Sequence, residues 1–359
     1  MKKTFIIIFL FFPIILSANF YGEIWSGIQL NYPTSSSVAS AIGRLRLGSI
    51  FTTKNSNIKL HIRCASAYGK AYFGSTSLMV PANDIASDSK EFVIDEAFFS
   101  FKSKNILILI GLIDPAGFDH NGSGFFNTIF TGNENNGFFS THFLKLFANN
   151  GIDQFKYQSI PALFFYLKII KNIIFKTGIT FGLAEKHLFL RNTMPIEISF
   201  KTSSLHISFN VGFGDADSSM VHKISPSLGL IIEKKLFYDF CIFTKYSCVE
   251  KDIKTFRTPD IEITNNYIVA KEFSPFKQHF STGIVKQNEN FGIGIGYSVL
   301  KQFENRIPEK VIEIFVRTKV FDIFDLSPDF QYIFNPNGSS EYKYMWIAGL
   351  RVFYLFEFI

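Results

Sequence analysis

The chain has 359 residues, a formal net charge of +6, 47% hydrophobic residues and a mean hydropathy of +0.18. This mild positive charge does not indicate a nucleic-acid partner, and no segment beyond the N-terminal one reaches ~18 uninterrupted apolar residues, which excludes membrane helices. A chain this apolar must either bury a large core or expose apolar strands to lipid, and only closed barrels do the latter.

The N-terminus has the order of a secretory signal peptide. Lys2 and Lys3 precede an apolar run that ends in Leu16-Ser17-Ala18, and this charged, apolar, small-residue order is typical of export signals. The run is too short to span ~30 Å of hydrocarbon as a helix. The sequence therefore predicts a signal peptide over residues 1–18, cleaved after Ala18, and one mature domain over residues 19–359.

Alternation of side chains predicts transmembrane strands along the mature chain. The first runs from about Glu23 to Tyr32, and Phe291–Ser298 alternates Phe, Ile or Tyr with Gly or Ser. Apolar residues alternating with small or polar ones over about ten residues are typical of strands with lipid on one face and water on the other. Further segments follow the same pattern: 42–50, 59–67, 175–184, 206–214, 311–320 and 350–358. An even count of about 16 strands fits the length, so the predicted fold is all-β, a transmembrane antiparallel barrel.

One long insertion interrupts this pattern. Residues 114–151 are rich in Gly, Asn and Phe and have no clean period, and long irregular loops of this kind are usually functional or disordered. We expect the insertion to fold into the barrel and narrow it, as a constriction loop that includes Asp114, Phe118, Asp119 and Asn121.

The last predicted strand carries a topological signal. Positions 350, 352, 354, 356 and 358 form an unbroken apolar face that ends in Phe358. Outer-membrane barrels commonly end on such a strand, so we expect the barrel-insertion machinery and outer-membrane lipid to be partners. Ile359 follows Phe358 here and moves the expected aromatic one place inward.

The inward positions of these strands predict a polar channel. Charges of both signs beside water select solutes by their field and their hydrogen bonds, and Trp25 offers an aromatic face for a sugar ring. The predicted pore-lining residues are Trp25, Arg44, Arg46, Lys59, His61, Arg63, Glu313, Arg317, Lys319, Gln331 and Arg351.

Motifs for catalysis or metal binding are not found in the sequence. It has no Gly-x-Ser-x-Gly elbow and no His-Glu-x-x-His motif, and the glycines of Phe291–Tyr297 belong to strand alternation because no helix follows them. The three cysteines lack metal-ligand spacing, and Cys241 and Cys248 would face opposite sides of a shared strand. We therefore expect neither an enzyme nor a cofactor.

Two stretches resemble the carbohydrate-selective porin (OprB) family. The stretch Leu326–Pro336, followed by Gly338 and by Gly349-Leu-Arg351, is similar to the end of that family. Upstream, the resemblance rests on Asp95-Glu-Ala-Phe98, Ile110-Gly111, the loop residues named above and Phe126-Asn127. The resemblance implies a sixteen-stranded outer-membrane porin that passes monosaccharides and related solutes.

Three functions remain open at this point. The first is passive diffusion of sugars and other small polar solutes, the second is a porin selective for anions such as phosphate or carboxylates, and the third is a non-conducting adhesin or structural barrel. The porin would be a monomer or a homotrimer.

Overall fold

Sixteen strands make up the fold in a computed structural model of the protein. The structure describes residues 15–32, 38–53, 57–68, 93–113, 160–183, 190–215, 224–249, 276–302, 307–338 and 343–358. The strands are β1 (Ile15–Tyr32), β2 (Val38–Thr53), β3 (Ile58–Tyr68), β4 (Val93–Lys102), β5 (Ile106–Ile113), β6 (Ile160–Ile170), β7 (Ile173–Leu183), β8 (Leu190–Lys201), β9 (Leu205–Asp215), β10 (Ile224–Lys235), β11 (Phe240–Val249), β12 (Phe276–Gln287), β13 (Phe291–Gln302), β14 (Glu309–Val320), β15 (Phe324–Phe334) and β16 (Tyr344–Phe358).

The strands close into a single antiparallel barrel. Each strand pairs with its neighbours in sequence, and β1 pairs with β16 from Phe20↔Phe358 to Tyr32↔Trp346. Closure leaves no strand edge with unpaired backbone groups, which is the condition for a sheet to span lipid. The predicted fold class and strand number are therefore confirmed.

The two ends of the barrel differ in the length of their connections. Seven connections have two to four residues, whereas the eight at the other end have 5 to 46. Bacterial outer-membrane barrels have short periplasmic turns and longer outer loops. The short-turn end is accordingly the periplasmic end, and the even-numbered strands β2 to β14 run towards it.

Alternating burial confirms the predicted faces. In β13 the even-numbered residues from Gly292 to Ser298 are buried, and the odd-numbered residues between them are exposed. In β16, Leu350 is 44% exposed on the outside while Arg351 is 1% exposed on the inside. Because a strand presents successive side chains to opposite faces, the exposed apolar set forms the lipid-facing belt.

Several strands are longer than their sequence pattern predicts. β2 spans 38–53 rather than 42–50, because its pairing with β1 continues beyond the alternating core to Thr53. β1 begins at Ile15 and so contains the last four residues of the predicted signal peptide, with a shift of register between Ile15 and Ser17. The cleavage after Ala18 stays a prediction.

Hydrogen bonds from backbone N–H groups to a side chain stabilise one of the periplasmic turns. Asn288 Oδ1 accepts hydrogen bonds from the backbone N–H groups of Asn290 and Phe291, at 3.0 and 2.8 Å, as an Asx turn does. Two other turns place bulky residues at positive φ, with Tyr238 at 54° and Phe321 at 54°.

No helix in the part of the chain covered by the described ranges is long and apolar enough to cross a membrane. Cys64, Cys241 and Cys248, which all lie within the described ranges, form no disulfide with one another. Cys241 is buried on the inner wall and Cys248 lies on the opposite face of β11, as predicted.

Candidate functional site

Four arginines gather on the inner wall where the barrel closes. Arg44 and Arg46 come from β2, Arg63 from β3 and Arg351 from β16, and all four are buried. We call these residues the arginine cluster. Two residues apart on β2, Arg44 and Arg46 share the inner face, as the alternation predicted.

Two buried glutamates accompany the arginine cluster. Arg46 Nη1 lies 3.8 Å from Glu23 Oε2 on β1, and Arg63 Nη1 lies 3.2 Å from Glu96 Oε2 on β4. Four arginines against these two glutamates sum to +4 − 2 = +2, and the buried Asp329 of β15, which interacts with Arg351, lowers the local charge to +1. A buried excess of positive charge favours anions nearby.

His61 connects the arginine cluster to inward-facing residues of β1 and β4. Its Nε2 lies 2.7 Å from the Tyr21 hydroxyl, and its Nδ1 lies 3.5 Å from Glu96 Oε2. Its ring also packs edge-on against Phe98 at 4.9 Å between centroids. His61 is thus held by three residues of two other strands, β1 and β4, which fixes its orientation on the wall.

Trp25 lies within the arginine cluster and is covered by it. The guanidinium carbons of Arg44 and Arg351 lie 5.8 and 5.2 Å from the ring centroid, and the Phe353 ring lies at 5.5 Å. These are cation–π distances, and Trp25 is 2% exposed. A sugar could stack on this indole only by displacing one of the groups that cover it.

The predicted residues of β14 and β15 separate into two groups. Glu313 and Gln331 are buried opposite each other in the middle of the wall. Arg317 instead lies near the periplasmic end, where Nη1 contacts Asp325 Oδ1 at 2.8 Å and Glu289 O at 3.3 Å, while Nη2 donates to Asn288 O. Arg317 therefore ties a periplasmic turn to the wall.

Lys59 and Lys319 differ from the other predicted pore residues because they are exposed. Both lie at the periplasmic ends of their strands, β3 and β14, on the inward face. Lys319 pairs in register with Asp325, two residues beyond Arg317.

A wall rich in hydroxyl and amide groups lies on β8 to β13, and the sequence reasoning did not single it out. Asn210 Nδ2 donates to Ser208 Oγ at 2.8 Å, and His279 Nε2 lies 3.1 Å from Ser298 Oγ. Its buried inward residues are Ser199, Ser208, Asn210, Ser227, Ser247, His279, Ser281 and Ser298. Their inward parity was readable from the alternation, but their mutual contacts depend on the register.

Buried ion pairs on the same side of the barrel were also missed. His206 Nδ1 lies 2.8 Å from Glu233 Oε2, and Lys176 Nζ lies 3.0 Å from Glu197 Oε1. Buried charges are stable only when they are paired or hydrogen-bonded. These pairs therefore balance charge inside the wall.

Part of the inner wall is apolar, which the expectation of a polar channel did not include. Phe243 packs over Gly283, and Phe315 packs over Gly294. The buried apolar cluster consists of Phe243, Val285, Val311, Phe315, Ile333, Met345 and Ile347. The polar and apolar walls are thus separate regions of one lumen.

Asp114, Phe118, Asp119 and Asn121 lie outside the described residues, so the constriction loop stays a prediction. Within the described ranges, no group of three or more His, Cys, Asp or Glu side chains is placed to hold a metal ion.

The closed barrel and its lined interior are those of an outer-membrane porin, and comparisons with solved structures show the same fold. The barrel superposes on Pseudomonas putida OprB in its high-pH structure with a TM-score of 0.71, at 12% identity over 94% of each chain. It is similar to OmpF of Salmonella typhi (TM-score 0.62, 10% identity, 94% of this chain and 97% of that chain) and to an anion-selective porin from Comamonas acidovorans (0.59, 10%, 95% and 99%). At such identities the likeness shows the fold alone.

The family model described as "Carbohydrate-selective porin, OprB family" matches residues 278–356. The predicted resemblance to that family is therefore confirmed in the C-terminal part of the chain, which includes β13 to β15 and most of β12 and β16. A search of curated protein sequences gives no match. The protein is a channel of the bacterial outer membrane rather than an enzyme.

Proposed function

We propose that the barrel lets carbohydrates and other small polar solutes diffuse passively across the outer membrane. The observation that carries the proposal is the hydroxyl and amide wall of β8 to β13, since such groups can exchange hydrogen bonds with a solute that loses its water. The match to a carbohydrate-selective family supports the same solute class.

The close lining of the barrel agrees with a selective rather than a wide passage. Inward residues in the middle of many strands are almost fully buried, including Ser247 and Ser281 on the polar wall. A small solute could therefore reach these groups only by displacing neighbouring side chains, so its passage would depend on its size and on the hydrogen bonds it can offer.

Liposome swelling tests this proposal. Vesicles with the protein should swell faster in a monosaccharide than in a disaccharide of the same osmolarity. The double variant Asn210→Leu with His279→Leu keeps bulky side chains but removes two inner polar groups, and it should slow monosaccharide entry. Swelling no faster than in protein-free vesicles, while potassium chloride conductance is intact, would refute sugar passage.

A matched control changes two hydroxyl side chains on the outer face of β11 and β12, two of the strands that carry the polar wall. Thr244 and Thr282 lie on the outer face, 3.1 Å apart between their Oγ1 atoms. Because their side chains do not face the lumen, Thr244→Val with Thr282→Val should leave the swelling rates unchanged.

Anion selectivity is a second candidate, favoured by the net positive charge of the arginine cluster. The variant Arg44→Gln with Arg351→Gln would lower this charge while both glutamates keep the arginine contacts described above. The permeability ratio of chloride to potassium, measured from reversal potentials, should then fall. A lack of any conductance would instead favour the non-conducting alternative.

A further inference from the structure

Six residues occupy the same structural position at the periplasmic ends of β4, β6, β8, β10, β12 and β14. The backbone N–H of each donates to a carbonyl in the turn of the preceding hairpin. The pairs are Lys102 with Asn57 (2.8 Å), Lys168 with Asn105 (2.8 Å), Lys201 with Asn172 (2.8 Å), Lys235 with Ser204 (2.7 Å), Gln287 with Asp239 (3.4 Å) and Lys319 with Asn290 (2.9 Å). Five of the six are lysine, although Lys and Arg together make up 36 of 359 residues.

These lysines belong to the inward-facing set. Lys201 pairs in register with the buried His206, and Lys235 pairs with the buried Cys241. Lys102 pairs with Leu107, which packs against the inner apolar cluster of β4 to β6. Lys59 joins them from β3, two residues before the buried His61. We call Lys59, Lys102, Lys168, Lys201, Lys235 and Lys319 the lysine ring.

The lysine ring is open to solvent, unlike the charges deeper in the barrel. Five of its members are exposed and Lys168 is half-buried. Arg63, two inward positions along the strand from Lys59, is 0% exposed. A solute that enters from the periplasm would therefore meet the lysine ring in water before it reaches the arginine cluster, about 13 Å further along β3, and a solute taken up from outside would meet it last.

The balance of charge at this mouth is positive. Among the described inward residues near it, Arg317 and Asp325 form an ion pair and Glu357 contributes one negative charge. Six lysines against Glu357 leave 6 − 1 = +5 on the inward face, and the described turns of this end add Lys104 and Lys171 against Asp239, Glu289 and Asp322, which brings the sum to 5 + 2 − 3 = +4. Alternate strands are about 10 Å apart, comparable to the screening length of about 8 Å in physiological salt, so the fields of neighbouring lysines overlap most strongly in dilute salt.

We propose that the lysine ring makes the periplasmic mouth an anion-selective vestibule, and that the solutes it favours are small hydroxylated anions such as sugar acids. The proposal deepens the function proposed above and rests on it, since the hydroxyl and amide wall supplies partners for the solute's hydroxyls. Rings of Lys or Arg side chains are a known physical basis of anion selection in pores.

Lysine-to-glutamine substitutions test the ring, because Gln287 shows that glutamine is compatible with this position. The ring variant changes the five lysines that share the position of Gln287 and leaves Lys59 unchanged. These five are Lys102, Lys168, Lys201, Lys235 and Lys319. The control variant changes Lys104, Lys171, Lys234 and Lys286 to Gln, which are lysines of the same end in turns or on the outer face. Both are reconstituted at full length and compared with the wild type in planar bilayers and in swelling vesicles.

In dilute potassium chloride the ring variant should lose about threefold in the chloride-to-potassium permeability ratio, and the loss should shrink at 1 M salt because the charges are then screened. Entry of glucuronate should slow about as much, whereas entry of glucose should not change. The control variant should match the wild type. Should the ring variant fail to fold, Lys201→Gln with Lys235→Gln should show a smaller loss of the same sign.

Three outcomes would overturn the inference, in distinguishable ways. The first is a ring variant that passes glucose normally and keeps the wild-type permeability ratio, and the second is a control variant whose ratio falls as much as that of the ring variant. Either result refutes the anion-selective vestibule but leaves the proposed porin function unaffected. A wild-type protein that passes neither glucose nor glucuronate overturns the porin function and the vestibule together.

Discussion

Replacing Glu96 with Gln should both destabilise the barrel and raise its preference for anions. The Glu96 carboxylate is completely buried 3.2 Å from Arg63 Nη1 and 3.5 Å from His61 Nδ1. Glutamine keeps the shape and can still accept a hydrogen bond, but it removes the charge that balances Arg63. The net positive charge of the arginine cluster then rises by one.

The size of the destabilisation follows from the geometry. At 3.2 Å and an effective dielectric constant of about 20, the attraction between the Arg63 and Glu96 charges is about 5 kcal/mol. Part of it is retained because Gln can still accept a hydrogen bond, worth about 1 kcal/mol. Removing one member of a buried pair typically costs 3–5 kcal/mol, so we expect a loss of about 3 kcal/mol in the free energy of unfolding.

Equilibrium unfolding in urea measures this loss, with the two tryptophans of the chain as fluorescent probes. Asp325→Asn is a matched control, because Asp325 lies closer to its arginine, at 2.8 Å, but its side chain is 16% exposed. Arg317 also keeps its contacts with the carbonyls of Glu289 and Asn288. The control should cost no more than about 1 kcal/mol.

A double-mutant cycle separates the pair from its surroundings. Arg63→Gln with Glu96→Gln removes both charges, so it should be less destabilising than the sum of the two single changes by about 2 kcal/mol. Two results would contradict the reasoning: a larger loss for Asp325→Asn than for Glu96→Gln, and additive single changes. Reversal potentials should meanwhile show a higher anion preference for Glu96→Gln.

Three further changes test other parts of the structure. Gly111→Ala should cost about 2 kcal/mol in unfolding free energy, because Gly111 has a φ of 143° and an added Cβ would collide with the backbone of Ala97 and Phe98; a neutral result in urea titrations would contradict that clash. Tyr238→Asn combined with Asp239→Gly should stabilise the β10–β11 hairpin by about 1 kcal/mol, since both residues have positive φ; the midpoint in urea should rise. Trp25→Phe should weaken contacts with two guanidiniums and lower stability by about 1 kcal/mol without slowing glucose entry, whereas slower entry in vesicles would assign the indole to the solute path.

The barrel itself could be predicted from the sequence because alternation is a local property. In Phe291–Ser298 each residue's face follows from its neighbours, and the structure places those faces as predicted. The extra length of β2 could not be predicted in this way. Backbone pairing with β1 continues where the side chains no longer alternate, and it depends on a partner strand rather than on a local pattern.

The sequence predicted which residues face the lumen, but it did not predict which of them contact one another. Arg63 and His61 were assigned to the lumen from parity, yet their partner Glu96 lies on another strand and carries no local signal. The same holds for His206 and Glu233, which are 27 residues apart in sequence and 2.8 Å apart in the barrel. Register, which joins distant strands, decides which charges meet.

The adjacent residues Lys234 and Lys235 show what register adds to the reasoning about function. In the sequence they are two adjacent positive charges, and charge counts treat them alike. Pairing of Lys235 with the buried Cys241 places it on the lumen side, so Lys234 lies on the outer face one residue away. If the lysine ring selects anions, removing the Lys235 charge must change the permeability ratio while removing the Lys234 charge must not, although net charge and position along the barrel are nearly the same. A mechanism that depended only on the total charge of the periplasmic end would respond equally to both.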